Sequence, residues 1–270
     1  MKILRSTRLL CSLVVGIVLS GCTRDTTDDT DPGLTISKQV IEKVTSLGLN
    51  PYGMTVERLE RPNGTEEDVY VIEGDIAMSA EQLAEMSIYG GITSEQYRTN
   101  NLVNPGVIQV IGYTGGSNGL TLNMQTALLQ AVNEYNNLNL TIRFDLTFAP
   151  STNGDIIVYK TSGGSIAGFP ANGKPYKWIA LSDSLSSASV SVLKILLMHE
   201  IGHSIGLRHT DWFSRQSCGQ NVSEGDAGVG AIHIPGTPTG FDPDSLMLAC
   251  FSFSANGFNT NDIIALEFLY

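Results

Sequence analysis

Histidine is scarce in this chain. Of 270 residues only 4 are histidines, and three of those, His199, His203 and His209, stand within one short stretch, so placement rather than abundance explains their proximity. Basic residues are also few. Aspartate and glutamate outnumber lysine and arginine 27 to 16, a net charge of −11, which argues against nucleic acid as a partner. Cysteine occupies 4 positions, and two of them, Cys11 and Cys22, lie at the extreme N-terminus, leaving Cys218 and Cys250 as the candidates for a disulfide. The early apolar run at 9–19 is too short to span a bilayer comfortably. What is present is core-forming material: 42% of the residues are apolar, enough for one large globular domain or a small one beside a larger one.

Residues 1–21 read as a targeting segment. Lys2, Arg5 and Arg8 precede the apolar run, and Leu19, Ser20, Gly21, Cys22 resembles the bacterial lipoprotein box, in which the cysteine is diacylated and becomes the mature N-terminus. Ordinary secretory cleavage with an incidental cysteine is the alternative. Multiple acyl chains hold a protein stably at a membrane, here one of the bacterial cell envelope. Residues 22–33, with Asp25, Asp28, Asp29 and Asp31 among threonines, cannot bury apolar surface and are expected to form a flexible tether. In that oxidising compartment Cys218 and Cys250 are expected to pair, which contributes roughly 3 to 4 kcal/mol in the chain-entropy model. Two unpaired buried thiols are the other reading.

The organising stretch is HEIGHSIGLRHTD, residues 199–211, which contains HExxHxxGxxH. The apolar run at 190–207 has no proline and predicts a buried helix with His199 and His203 one turn apart on one face. Gly206 falls where that helix should stop. A residue free to take positive φ turns the chain sharply there and brings His209 back as a third nitrogen. Three nitrogens leave a tetrahedral zinc one open position for water, with Glu200 beside it as the base during attack on a carbonyl. One zinc ion is therefore the expected cofactor. Two rival third ligands stand beside His209. Glu224 follows His203 at nearly the separation used by thermolysin-like enzymes, though its surroundings do not look helical. Asp211 is the second, and it better suits a supporting acceptor or a structural partner of the loop. His233 reads as a loop residue outside the metal site.

Residues 34–100 are expected to form a small unit of their own. Helices are predicted at 37–47 and, behind a Ser79 cap, at 79–86, with a strand at 70–72; the polar run 93–101 reads as a linker. The second unit, 101–270, has strands at 107–113, 141–148 and 155–159, a helix at 120–136, an edge segment and then the zinc helix. That order predicts an α+β domain, a mixed, twisted sheet backed by two long helices. Residues 163–169 are expected to be an exposed, small-residue edge able to pair with an extended peptide, or else a mobile glycine loop. A closing helix at 259–270 is expected to be capped by Thr260 or Asn261.

These residues resemble a known group. HEIGHSIGLRHTD, the later Ser245, Leu246, Met247 and the closing helix resemble the metzincin metallopeptidases, and HEIGH followed by RHTD is similar to the dual-action HEIGH metallopeptidase family from about residue 69 onward. The resemblance implies a metzincin-type catalytic domain at 101–270, protein or peptide substrates, and a Met-turn at Met247 beneath the zinc histidines; plain core filling is the other reading of that methionine. Where some metzincins carry a tyrosine two residues later, this chain has Ala249. Glu73, Gly74, Asp75, Ile76 is similar to the pro-segment motif of astacin-type metzincins, which implies a pro-region at 34–100 whose Asp75 occupies the zinc. An ordinary Gly-Asp turn is the alternative. No cysteine lies in that region to act as a thiolate latch, and cleavage between about residues 86 and 105 would free the enzyme. The expectation is a monomeric, lipid-anchored zinc endopeptidase made as a zymogen. The competing class is a noncatalytic surface lipoprotein whose structural zinc supports binding of an envelope or host ligand. An intact Glu200 argues against it, because a structural site prefers a closed fourth position.

Overall fold

The computed structural model describes residues 36–47, 49–85, 96–223, 231–238, 240–250 and 256–270. The segment 1–21 expected to be a leader, Cys22, the segment 22–33 expected to be a tether, and Glu224 lie outside the described residues. Ile36–Tyr270 forms one unit.

Helix α1 (Lys38–Ser46) begins at Ser37, whose hydroxyl accepts the Val40 N–H. A three-stranded antiparallel meander follows, made of β1 (Thr55–Glu60), β2 (Glu66–Ile72) and β3 (Ile76–Met78). Strand β1 carries Glu57, Arg58 and Glu60, too much charge for its apolar face to be legible in the sequence. Between β2 and β3 the chain reverses through Glu73 and Gly74, at φ of 58° and 99°, and this turn presents Asp75. Helix α2 (Ala80–Glu85) has a reciprocal cap: Ser79 N–H donates to Gln82 Oε1, and Gln82 N–H to Ser79 Oγ.

The larger part begins with β4 (Tyr97–Arg98) and continues with β5 (Gly106–Tyr113), α3 (Leu122–Asn136), β6 (Ile142–Ala149), β7 (Ile156–Thr161), β8 (Trp178–Ser182), α4 (Val190–Ile205), β9 (Ile232–His233) and α5 (Thr260–Leu269). The main sheet has the order β6-β5-β7-β8, with every neighbouring pair parallel. Parallel strands covered by helices read as continuous apolar runs, and Ile156, Ile157, Val158 and Tyr159 of β7 are all fully buried. Core residues of β5, β7 and β8 join Met124, Leu128 and Val132 of α3 and Leu193, Leu197 and Ile201 of α4 in one cluster. Tyr135 ties the two helices together, its hydroxyl donating to Met198 O at 2.7 Å.

Four expectations are corrected. The fourth strand is β8, at 178–182, a short run that the sequence pattern did not single out. Residues 163–169 are not an exposed edge: Ile166, Ala167 and Phe169 are buried. Ile166 pairs antiparallel with Ala180 of β8, and Ala167 pairs on its other side with Ile76 of β3, so the edge is already extended by the N-terminal segment. Residues 96–101, read as linker because they are polar, are built into the structure. Tyr97 is fully buried, β4 pairs with β9, and the Arg208 N–H donates to Tyr97 O. Finally, α5 is capped by Asn259, not by Thr260 or Asn261, in a box where Asn259 and Asp262 each accept the other's N–H.

Candidate metal centre

Helix α4 is apolar on nearly all sides and buried from Leu197 through Ile205, which carries His199 and His203 into the interior on one face. It stops at Gly206, whose φ of 113° is open to glycine and costly for other residues. A Cβ there would lie only 3.0 Å from Asn101 O, so residues 99–102 close over the turn. The reversal returns His209 to the other two imidazoles.

The Nδ1 of His199 lies 2.9 Å from Leu246 O, and that of His203 lies 2.8 Å from Leu207 O. Donation to those carbonyls assigns the proton to Nδ1 and leaves Nε2 as the lone-pair donor. Asp75 Oδ2 sits among the three Nε2 atoms, at 3.1 Å from His209, 3.4 Å from His199 and 3.9 Å from His203. Four ligands at about 2 Å from a tetrahedral zinc stand roughly 3.3 Å from one another, so this donor set has the right size and chemistry. His203 Nε2 and Asp75 Oδ1 are buried with no hydrogen-bond partner, a costly arrangement that a cation relieves. Among the described residues this is the one group of histidines, cysteines and carboxylates able to hold an ion.

The side chains also set one another's charge. Burial, then the neighbouring His199, pushes His203 well below the ordinary imidazole range, which keeps its nitrogen lone pair available. Burial alone would raise Asp75, but the charge and hydrogen bond of His209, with help from His199, hold it well below the carboxylate range. Glu200 is pushed well above that range by burial and then by Asp75. A divalent cation at the focus opposes the rise at Glu200.

Met247 packs against helix α4 at Gly202. A Cβ on Gly202 would come within 2.6 Å of its sulfur, so helix and methionine meet because residue 202 has no side chain. Thr210 N–H donates to Met247 O at 2.7 Å, linking the turn to the loop that carries His209. Asp262, which the sequence analysis did not single out, holds the turn from below. Its carboxylate accepts from Ser245 Oγ and from the Leu246 N–H, both at 2.9 Å, and the Leu246 carbonyl in turn orients His199. The cue was the Asn259/Asp262 spacing, a capping box with an aspartate in its third position.

Of the two rival ligands, Asp211 falls within the described residues. Asp211 faces away from the metal group, accepting from Ser217 N–H and Oγ and from the Ala249 N–H, so it serves as the loop's structural partner. His233 belongs to β9 opposite Tyr97 and is outside the metal group. Cys218 and Cys250 form a disulfide with Cα atoms 5.0 Å apart, joining the segment after the zinc loop to the segment after Met247.

Three imidazoles, a carboxylate from a separate segment and a buried glutamate on a HExxH helix define a zinc metallopeptidase. The chain belongs to the dual-action HEIGH metallo-peptidase family, whose model matches residues 69–270. No curated protein matches it. Among solved structures, one titled "Structure of Myroilysin" is similar at 16% identity and a TM-score of 0.38, covering 59% of this chain and 78% of that one. A second, "Crystal structure of myroilysin", is similar at 13% identity and a TM-score of 0.40, covering 70% and 95%.

Proposed function

We propose that this zinc peptidase is an endopeptidase made as a lipid-anchored zymogen, with residues 73–77 lying in its substrate cleft. The observation that carries this reading is the position of Asp75 Oδ2 at the focus of the three Nε2 atoms. The segment around it is held as an extended peptide would be: Ala167 N–H donates to Asp75 O at 3.0 Å, and Ala77 N–H to Ala167 O at 2.6 Å. When bound, zinc supplies Lewis acidity toward the scissile carbonyl and the attacking water. His199, His203 and His209 hold the ion, and Leu246 O and Leu207 O keep two of them in the required tautomer. Glu200 takes the proton of the attacking water and passes it to the departing amine. The main-chain groups of Ala167 pair with the substrate once the pro-segment has left.

Uncleaved Asp75→Ala protein is expected to hydrolyse a fluorogenic peptide on the order of 10- to 100-fold faster than uncleaved wild type, since one charged ligand of an intramolecular occupant is lost. Equal low activity of the two would overturn the switch. Activating cleavage belongs before Gln96, because residues 96–99 are tied to the zinc loop through Arg208 N–H to Tyr97 O and Thr99 N–H to Gly206 O. Lipid anchoring rests on the lipoprotein-like Leu19–Cys22 run of the sequence; among the described residues no helix is long and apolar enough to cross a membrane. Cys22→Ser is expected to move the protein out of the membrane fraction and to leave the precursor unlipidated. Unchanged fractionation, with an unchanged N-terminal peptide mass, would rule the anchor out.

A further inference from the structure

The pro-segment is gripped at a second point, and the gripping residues belong to the zinc loop. Glu73 lies two residues before Asp75, and its left-handed φ of 58° turns its side chain inward, where it is fully buried. Both of its carboxylate oxygens accept from Nη2 of Arg208 at 3.1 Å. Its carbonyl accepts from Nη1 of Arg215 at 3.1 Å. Arg208 immediately precedes His209. It is itself fully buried, its guanidinium 5.8 Å from the centre of the Trp212 ring, and its backbone is fixed by Tyr97 O. Arg208, Trp212 and Arg215 thus sit on the 206–219 loop, braced by the Cys218–Cys250 disulfide, whereas Glu73 and Asn50, whose N–H meets Glu73 Oε1 at 3.2 Å, sit on the N-terminal segment that carries Asp75.

Release of the pro-segment would take the Glu73 carboxylate away from a guanidinium that cannot lose its proton. Separating a buried ion pair carries a large penalty, and a carboxylate delivered at the same distance from the metal removes that penalty. Guanidinium geometry favours a planar, two-oxygen acceptor over an amide. From the shared placement of Glu73 and Asp75 in one extended segment, we propose that Arg208 is the floor of a substrate subsite for an acidic side chain, about two residues from the scissile peptide bond. This rests on the reading of residues 73–77 as occupants of the substrate cleft.

The test uses full-length protein nicked between residues 86 and 95, loaded with zinc, and a set of peptides that share one cleavage site. A single glutamate is moved along each side of the bond, with a glutamine control at every position. One glutamate within three residues of the cut is expected to raise kcat/KM by about 10- to 100-fold over its glutamine control, the effect of a hydrogen-bonded charge. In Arg208→Gln that ratio is expected to collapse toward one. Cleavage of all peptides with no glutamate preference, or a ratio that survives in folded Arg208→Gln, would overturn the subsite. A second measurement needs no protein variant: peptides spanning residues 70–78 are assayed as inhibitors of the nicked wild type. The Glu73→Gln peptide is expected to inhibit about 10- to 100-fold more weakly than the parent. Equal inhibition by those two, with the Asp75→Asn peptide weakened, would remove the subsite and leave the zymogen reading standing. An Asp75→Asn peptide as potent as the parent would instead remove the zymogen reading.

Discussion

Glu200→Gln is expected to lower kcat by about 10²- to 10⁴-fold while zinc content stays at that of the wild type. The substitution keeps volume and hydrogen-bonding capacity on α4 but removes the buried carboxylate proposed to accept a proton from water. Glu200 makes no contribution to the donor set formed by His199, His203, His209 and Asp75. Zinc content by atomic emission and turnover on a peptide after cleavage separate the two roles. A variant that loses zinc in step with activity would make Glu200 a structural residue, and one that keeps both would move the base elsewhere.

His209→Ala should have the opposite signature. Zinc affinity is expected to fall by more than about 100-fold, since even groups that only orient a metal ligand are worth about 10- to 100-fold. Activity should disappear with the metal. His209 is fully buried and stands 3.1 Å from Asp75, so its loss removes one corner of the tetrahedron and leaves a void in the site. Full zinc content in His209→Ala, with loss in Glu224→Ala instead, would transfer the protein to the thermolysin-like arrangement.

The helices and the first three strands of the main sheet were legible because their apolar spacing is local: Leu128, Val132 and Tyr135 of α3 repeat at helical intervals, and β5 and β6 carry strand-length apolar patterns. Strand β8 was not, since five residues beside a serine-rich run give too few positions for any period to register. Residues 96–101 were misread for a related reason. Polarity ordinarily marks a loop, yet Tyr97 and Thr99 earn their burial by hydrogen-bonding to the zinc loop, a partner more than a hundred positions away.

Spacing along one helix and one glycine were sufficient to set His199, His203, His209 and Glu200 in relation to each other, because helix pitch and positive φ are properties of the adjacent chain. The group that meets them was a matter of long-range contact. Asp75 reaches the imidazoles only because the β2–β3 turn docks against Ala167, and Arg208 acquires Glu73 through that same docking, 135 positions distant. Asp262 reaches the segment of Leu246 and Met247 from the last helix in the same way. Such contacts depend on how sheet edge, loop and turn pack together, and no periodicity in a linear chain encodes which buried charge will face which.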